Sequence, residues 1–220
     1  MTRFRKALWW IAISILAGTP LAAQTEHQQH HPPQDASSYI AALEASSRGA
    51  WQQPERVMAA LALKPGERVA DLGAGPGYFT LRFARAVGPS GKVYGVDISR
   101  EMLDYLAKQA QADNLKNIQT VLAEPHDPKL QPDSVDLIFI CDTLHHISDR
   151  ANYYPLLLRA LKPGGRLVDI DFHKRPLPVG PPVEMKISQK EMIREAEAAG
   201  FHLLPEYDFL KYQYFLVFTR

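Results

Sequence analysis

The chain has 220 residues, 46% of them hydrophobic, and a formal charge of +1 from 25 Lys and Arg against 24 Asp and Glu. This length suffices for one domain with a complete hydrophobic core. The near-zero charge excludes the surplus of basic residues with which nucleic-acid-binding proteins neutralise phosphates. The single cysteine, Cys141, excludes an internal disulfide framework.

The first 23 residues have the pattern of a secretory signal peptide. Three Lys or Arg among the first six residues precede an apolar run at 7–18 and a short stretch that ends with small residues at Ala23. A helix over 7–23 would span about 25 Å at ~1.5 Å per residue, which is shorter than the ~30 Å hydrocarbon core of a bilayer. We therefore expect cleavage and export to the periplasm. An uncleaved anchor, which would tether the body to the outer side of the inner membrane, is the alternative.

Residues 24–47 are polar, contain prolines and include His27, His30 and His31 close together. This composition predicts a disordered linker, because it offers little apolar surface to bury. A transient metal site on the three histidines is the alternative. The folded domain would then comprise residues 48–220.

A helix is predicted to open this domain at Pro54, because proline suits the first turn and apolar residues follow at helical spacing. Trp51 lies just before this helix. In one interpretation it packs on the edge of the sheet. In the other, the segment 48–51 folds over a ligand.

The stretch 68–79, RVADLGAGPGYF, predicts a strand, a tight turn and a helix. Apolar residues lead into Gly73, Gly75 and Gly77, and an apolar-periodic segment follows at once. Because glycine lacks a Cβ, the turn can adopt positive φ angles and a ligand can approach the backbone closely. This order is the first β-α step of a nucleotide-binding α/β fold.

Two residues in and beside the glycine turn argue against a dinucleotide as the ligand. Asp71 ends the first strand with a carboxylate at the ligand crevice, where it suits a cationic or ammonium-bearing group better than a pyrophosphate. The dinucleotide fingerprint G-x-G-x-x-G would require glycine at position 78, and this position is Tyr78. Both residues therefore argue against an NAD(P)-dependent oxidoreductase.

Strands and helices continue to alternate along the rest of the chain, which predicts an α/β sandwich of about seven strands with helices on both faces. The last two strands are joined by a connection too short for a helix, so they should be antiparallel. The predicted elements are strand 2 at 92–98, a helix capped by Ser99, strand 3 at 118–122, a fully apolar strand 4 at 135–141, a helix at 151–161, strand 5 at 166–171, a helix from Ser188 to Gly200, and closing strands near 201–209 and 212–219.

The glycine turn, the acid before it and Asp97 at the end of strand 2 resemble motif I and the following acid of class I S-adenosylmethionine (SAM)-dependent methyltransferases, D/E-x-G-x-G-x-G. The block LLRALKPGGRLVDIDF at 157–172 resembles a later motif, and the resemblance covers about residues 48–220. Among subgroups the chain looks most like the UbiE-like, methyltransferase type 11 enzymes, which act on small molecules. The resemblance implies a Rossmann-like, mostly parallel sheet in the order 3-2-1-4-5-7-6 with strand 7 antiparallel, SAM as cofactor and a small-molecule methyl acceptor.

The resemblance also assigns cofactor contacts. Asp97 would bind the ribose hydroxyls, and Ile98 would pack on the adenine. Glu124, after strand 3, is the best match for an acid that meets the adenine amino group, with Asp127 as the alternative. The residues expected around the methionine portion are Asp71, Gly73, Ala74, Gly75, Gly77 and Tyr78.

Asp142, His145 and His146 follow strand 4, where the carboxyl ends of parallel strands border the ligand crevice. A histidine there can act as general base on an acceptor hydroxyl, because imidazole titrates near the working pH. We therefore assign the three residues a catalytic role and expect no metal. The alternatives are support of the following helix and a two-histidine-plus-carboxylate metal site. Methyl transfer itself depends mostly on in-line positioning and desolvation, since the sulfonium is already an activated leaving group.

The sequence thus predicts a SAM-dependent methyltransferase that acts on a small molecule. An exported, non-catalytic SAM- or metabolite-binding protein is the main alternative, because SAM is made in the cytoplasm whereas the N-terminus directs export. An NAD(P)-dependent oxidoreductase is the less favoured alternative.

Overall fold

Seven β-strands organise residues 36–220, which are the part of the chain that this computed structural model describes. They are β1 Arg68–Leu72, β2 Lys92–Asp97, β3 Ile118–Leu122, β4 Val135–Cys141, β5 Leu161–Phe172, β6 His202–Leu203 and β7 Gln213–Thr219. The strands form one sheet in the order β3-β2-β1-β4-β5-β7-β6. Neighbours from β3 to β5 are parallel, whereas β7 is antiparallel to both β5 and β6. The predicted strand order and directions are confirmed.

Seven α-helices surround this sheet within the described range. They are α1 Ala36–Leu43, α2 Ser46–Gln52, α3 Pro54–Leu61, α4 Thr80–Val87, α5 Arg100–Ala112, α6 Arg150–Ala160 and α7 Gln189–Ala198. Buried side chains of α3 and α4 pack on one face of the sheet and those of α6 and α7 on the other, so helices cover both faces as predicted. None of the helices in residues 36–220 combines the length and apolar character needed to cross a membrane. The predicted signal peptide and the linker residues 24–35 lie outside the described residues.

The central strand β4 shows why the sheet is stable between two helical layers. Ile138 and Ile140 point to the cluster that contains α6 and α7, whereas Leu137 and Phe139 point to the cluster that contains α3 and α4. All four side chains are fully buried. Burying each of them stabilises the fold by about 1.5–3 kcal/mol. An uninterrupted apolar run is therefore what this position requires.

Capping side chains begin two of the helices where the sequence predicted. The Ser99 hydroxyl accepts a hydrogen bond from the Met102 N–H at 3.4 Å, and the Ser188 hydroxyl accepts one from the Glu191 N–H at 3.2 Å. These bonds satisfy N–H groups that have no partner inside the helix. Gly200, with φ of 98°, follows the end of α7.

Residues 36–47 differ from the prediction, because the expected disordered linker contains α1 and the start of α2. Contacts with distant or later residues hold this segment. The Tyr105 hydroxyl of α5 donates to Glu44 at 2.9 Å, and the Arg48 guanidinium donates to the Leu43 carbonyl at 3.1 Å. A local composition that is polar and proline-bearing cannot reveal such partners.

The sixth strand is also shorter than predicted. β6 spans only His202–Leu203, and the Leu204 N–H makes one further bond to the Val217 carbonyl. Pro205 follows directly. Proline has no N–H to donate, so the ladder cannot continue through this position.

Candidate active site

The turn between β1 and α4 is shaped by three glycines with positive φ angles, which are 73° at Gly73, 52° at Gly75 and 104° at Gly77. A Cβ at Gly73 or Gly77 would collide with a neighbouring side chain. A Cβ at Gly75 would meet nothing closer than Leu43 Cδ1 of α1, at 3.5 Å. Packing against Thr143 therefore requires glycine at position 73, whereas a Cβ at Gly75 would make only an ordinary van der Waals contact with α1.

Backbone hydrogen bonds fix the glycine turn to the end of β2. The N–H groups of Gly73 and Ala74 both donate to the Val96 carbonyl, at 2.8 and 3.1 Å. The Gly75 N–H donates to Asp97 Oδ2 at 2.8 Å. The glycine turn and the second-strand acid thus form one unit.

Asp97 is held in a defined orientation by two backbone donors. Besides Gly75, the Ser99 N–H donates to Asp97 Oδ1 at 2.9 Å. Burial raises the pKa of Asp97, and the backbone hydrogen bonds oppose this rise. Each carboxylate oxygen has two lone pairs, so the group can still accept a hydrogen bond on each oxygen from a ligand hydroxyl.

Asp71 lies buried at the end of β1, only 3% exposed. Its Oδ2 accepts a hydrogen bond from the Thr80 hydroxyl at 2.6 Å. Burial raises the pKa of Asp71 to about 7, against the opposing effects of the Thr80 hydrogen bond and the Arg48 charge. A cationic group close to this carboxyl would favour its ionised form.

The residues assigned to the adenine lie at the ends of β2 and β3. Ile98 is 64% exposed and Leu122 is 42% exposed, so two apolar side chains face solvent at neighbouring strand ends. Lys129 Nζ lies 2.8 Å from Glu124 Oε1 and 3.0 Å from Asp127 Oδ2. Glu124, which was predicted to meet the adenine, and its alternative Asp127 therefore both pair with Lys129 at this edge of the sheet.

Tyr78 links the glycine turn to α2. The Arg48 guanidinium carbon lies 4.2 Å from the centre of its ring, and the Arg82 guanidinium carbon lies 4.4 Å from the same centre. Both distances suit cation–π attraction. Trp51 of α2 packs on Phe172 at the end of β5, with 5.6 Å between ring centres. The segment 48–51 thus spans the crevice from β1 to β5.

His145 is paired with Asp171, at the end of β5, rather than with Asp142. Its Nδ1 lies 2.9 Å from both carboxylate oxygens of Asp171, and the two side chains are 3% and 0% exposed. Burial by itself would lower the pKa of His145, but the hydrogen bond and charge of Asp171, with the charge of Asp142, more than offset this, so the pKa is raised. With Nδ1 donating to Asp171, Nε2 is the nitrogen that can accept a proton.

Asp142 belongs to a different network. Its backbone is left-handed, with φ of 55°, and its Oδ1 accepts a hydrogen bond from Gln213 Nε2 at 2.6 Å. Gln213 in turn accepts a bond from Gln52 Nε2 at 2.9 Å. Burial raises the pKa of Asp142, and the nearby charge of Asp171 adds to the rise. Asp142 thus connects the end of β4 to α2 and β7.

His146 lies beside His145 in a 3₁₀ turn at Leu144–His146, with 4.2 Å between the ring centres, and it is exposed. The N-cap of α6 is Asp149, which accepts a bond from the Asn152 N–H at 3.4 Å. Neither histidine therefore caps that helix. Across residues 36–220 no cluster of three or more His, Cys, Asp or Glu side chains is arranged to hold a metal ion.

Three residues to which sequence reasoning gave no role complete this geometry. Asp171 carried a signal, since it ends the strand beside β4 and so must lie close to His145. Arg48 lies in the segment 48–51, for which folding over a ligand was one of the two interpretations. Gln213 carried no local signal, because it is 71 positions from its partner Asp142.

Known proteins share both the sequence and this fold. The sequence model of a methyltransferase domain family matches residues 63–204. The crystal structure of a SAM-dependent methyltransferase from Aquifex aeolicus is 31% identical, with a TM-score of 0.79, and the match covers 84% of this chain and 98% of that one. The chain belongs to the SAM-dependent methyltransferase family. SAM is therefore its cofactor, and the predicted family is confirmed.

Several curated relatives of this methyltransferase carry names of quinone biosynthesis. The ubiquinone/menaquinone biosynthesis C-methyltransferase UbiE of Vibrio campbellii is 34% identical over 145 residues, which are 65% of this chain and 51% of that protein. The demethylmenaquinone methyltransferase of Staphylococcus carnosus is 32% identical over 129 residues, or 59% and 52%. The chain spans about half the length of these two relatives.

Proposed function

We propose that this methyltransferase transfers the methyl group of SAM to a small-molecule acceptor at the carboxyl ends of β1, β2, β4 and β5. One observation carries the proposal. The Asp97 carboxylate is fixed by the Gly75 and Ser99 N–H groups and keeps free lone pairs beside the glycine turn. This arrangement fits the two adjacent hydroxyls of a ribose, whose donors need an oriented acceptor.

The remaining residues of the first two strand ends fit the other groups of SAM. In this proposal the Asp71 carboxyl lies near the ammonium group, since a cation would stabilise its ionised form. Gly75 lets the methionine chain approach the backbone of the turn, because it carries no Cβ and the nearest side chain, Leu43 of α1, is only in van der Waals range. Ile98 and Leu122 offer exposed apolar surface to the adenine, and Glu124 lies at the same edge.

The second half of the crevice would receive the acceptor. Bound SAM supplies a methyl group on a positively charged sulfur, so the protein needs only to position and deprotonate the acceptor. We assign proton removal to His145 Nε2, and Asp171 holds the ring through Nδ1. Asp142 and His146 flank this pair and complete the proposed acceptor site.

Two facts support a small molecule as the acceptor. Several curated relatives are named for the biosynthesis of ubiquinone or menaquinone, and a quinone is a small molecule. The formal charge of +1 provides no basic surplus for a nucleic acid. The buried His145–Asp171 pair further favours catalysis over the non-catalytic binding alternative, since a binding protein has no need of a base.

Methyl-labelled SAM tests the acceptor class directly. The full chain is incubated with labelled SAM and an extract of its host whose own enzymes have been inactivated by heat, and the products are separated by size into small molecules, protein and nucleic acid. We expect label among the small molecules, and none when the Gly75→Val variant replaces the parent. Label in the macromolecules would contradict the proposal. Binding of S-adenosylhomocysteine without any transfer of label would support the non-catalytic alternative.

We also propose that residues 1–23 direct export and are then removed. The basic start and the apolar run that follows support this proposal. Mass spectrometry of the protein from its native host should give an N-terminus near Gln24. An intact Met1 in the cytoplasmic fraction would contradict export.

A further inference from the structure

Arg48 of α2 places a cation over the crevice between the two halves of the site. Its side chain is 12% exposed, its guanidinium carbon lies 4.2 Å from the centre of the Tyr78 ring, and its Nη2 is 3.9 Å from Asp142 Oδ2. Its charge also acts on the buried carboxyl of Asp71. The group is thus held at the mouth of the crevice, close to the ends of both β1 and β4.

The guanidinium is poorly matched by its present partners. It donates to the Leu43 carbonyl at 3.1 Å and to Gln52 Oε1 at 3.3 and 3.4 Å, and all of these acceptors are neutral. The carboxylate of Asp142 is too far for a hydrogen bond. These bonds use three of the five N–H donors of an arginine. Within the described part of the chain, two donors therefore remain without a hydrogen bond.

The surroundings of Arg48 match a zwitterion. The amino-acid end of SAM carries an ammonium and a carboxylate on the same carbon atom. Asp71 supplies the negative partner on the floor of the glycine turn, and Arg48 supplies the positive partner above it. Gly75, which has no side chain, lies in the glycine turn next to Leu43 of α1. Arginine is suited to this task because its planar fork can bind both oxygens of a carboxylate.

We propose that Arg48 binds the carboxylate of the methionine portion of SAM, exchanging its long contact with Asp142 for a bidentate one. This inference rests on the proposed function and adds the residue that recognises the amino-acid end of the cofactor. Because Arg48 also holds the Leu43 carbonyl, the bound carboxylate fastens α1 and α2 over the glycine turn. The N-terminal helices are thereby part of the cofactor site.

Two ligands that differ only in the amino-acid end test the proposal. S-Adenosylhomocysteine carries the ammonium and the carboxylate, whereas 5′-methylthioadenosine shares the adenosine and the sulfur but lacks both. We would titrate each ligand calorimetrically into the full chain and into its Arg48→Gln, Arg48→Lys and Arg82→Gln variants. Arg82 is the matched control, because it stacks on the same Tyr78 ring at 4.4 Å.

We expect Arg48→Gln to weaken the binding of S-adenosylhomocysteine by about tenfold to a hundredfold, which is the range for lost hydrogen bonds to a charged group. The affinity for 5′-methylthioadenosine should stay unchanged. Arg48→Lys should recover part of the loss, since it keeps the charge without the fork. Arg82→Gln should bind both ligands as the parent does.

Three results would overturn the proposal. Equal losses for both ligands in Arg48→Gln would mean that Arg48 only supports the fold of the crevice. An unchanged affinity for S-adenosylhomocysteine, together with a raised KM for the acceptor in the labelled-methyl assay, would assign Arg48 to a carboxylate of the acceptor. If neither the affinity for S-adenosylhomocysteine nor the KM for the acceptor changes, Arg48 contacts neither ligand. Failure of the parent to bind either ligand would instead contradict the proposed function itself.

Discussion

The two halves of the crevice are built in different ways. In the first half, Asp71, Gly75 and Asp97 lie at or beside two consecutive strand ends, and backbone N–H groups of the glycine turn donate to the end of β2. In the second half, side chains from distant parts of the chain meet, as Gln213 does with Asp142. A site fixed by backbone geometry leaves a spacing that can be read in a sequence, whereas a site assembled by side chains across the fold does not. The first half should also bind cofactor without the second.

Gly75→Val should have the largest effect on the first half. The added side chain would enter the space beyond Gly75 that the proposal gives to the methionine portion, so SAM binding should be abolished in a calorimetric titration. Gly164→Val is the control, because Gly164 also has a positive φ, 75°, and no neighbour within 4 Å of an added Cβ. Both variants should lose about 1–2 kcal/mol of unfolding free energy. SAM binding by Gly75→Val at the parent's affinity would remove Gly75 from the site.

His145→Ala tests the second half alone. If His145 is the general base, kcat for methyl transfer should fall about 10²–10⁴-fold while the Kd for SAM stays constant. Asp171→Asn should move the acidic limb of the pH–rate profile to lower pH, because Asp171 raises the pKa of His145. His202→Ala, exposed on β6, is the control for removing a histidine. Unchanged kcat with lowered thermal stability in His145→Ala would mean that the pair supports only the fold.

Asp97→Ala should weaken the binding of SAM without altering the acceptor half of the crevice. Loss of hydrogen bonds to a charged acceptor costs about 1.5–3 kcal/mol, so the Kd for SAM should rise at least about tenfold. The loss should lie in the upper part of this range, because the Gly75 N–H also loses its partner. Asp104→Ala, exposed on α5, should bind SAM as the parent does. An unchanged Kd in Asp97→Ala would exclude the ribose assignment.

The smallest expected effect is a dependence of SAM affinity on pH. Burial raises the pKa of Asp71 to about 7. Protonation below this pKa removes the charge that would face the ammonium group, so binding should weaken as the pH falls. For one group of this kind the Kd should rise about tenfold between about pH 8 and about pH 6.

Asp71→Asn should abolish this slope, because its amide does not titrate. A slope that persists in Asp71→Asn would assign the titration to another group. The same raised pKa implies that the unliganded fold loses stability as the pH rises from the ordinary pKa of an Asp toward 7, since the unfolded chain ionises Asp71 more readily. In thermal unfolding, the Asp71→Asn variant should lose less stability than the parent over this pH range.

The fold was predictable because each element left a local pattern. The bounds of β3 and β4 agree with the prediction, and Ser99 and Ser188 cap the helices that they were expected to cap. The errors lie where tertiary contacts decide. Residues 36–47 were expected to be disordered, and contacts such as that between Glu44 and Tyr105 stabilise their helices.

The candidate site follows the same rule. The glycine turn and Asp97 were assigned together and lie together. His145 was assigned with Asp142 as its neighbour in sequence, but its hydrogen-bond partner is Asp171 on the adjacent strand. Adjacent parallel strands bring their ends together, so strand order could have identified this partner once the fold was known. Arg48 approaches the crevice from α2, a helix that no hydrophobic pattern in the sequence predicted.

One titration tests the central claim that the first half of the crevice is a complete SAM site. The full chain is titrated calorimetrically with SAM, S-adenosylhomocysteine and NAD under the same conditions. We predict saturable binding of SAM and S-adenosylhomocysteine with one site each, and no binding of NAD, whose pyrophosphate Asp71 would repel. Binding of NAD in preference to SAM, or of neither nucleotide, would contradict the account.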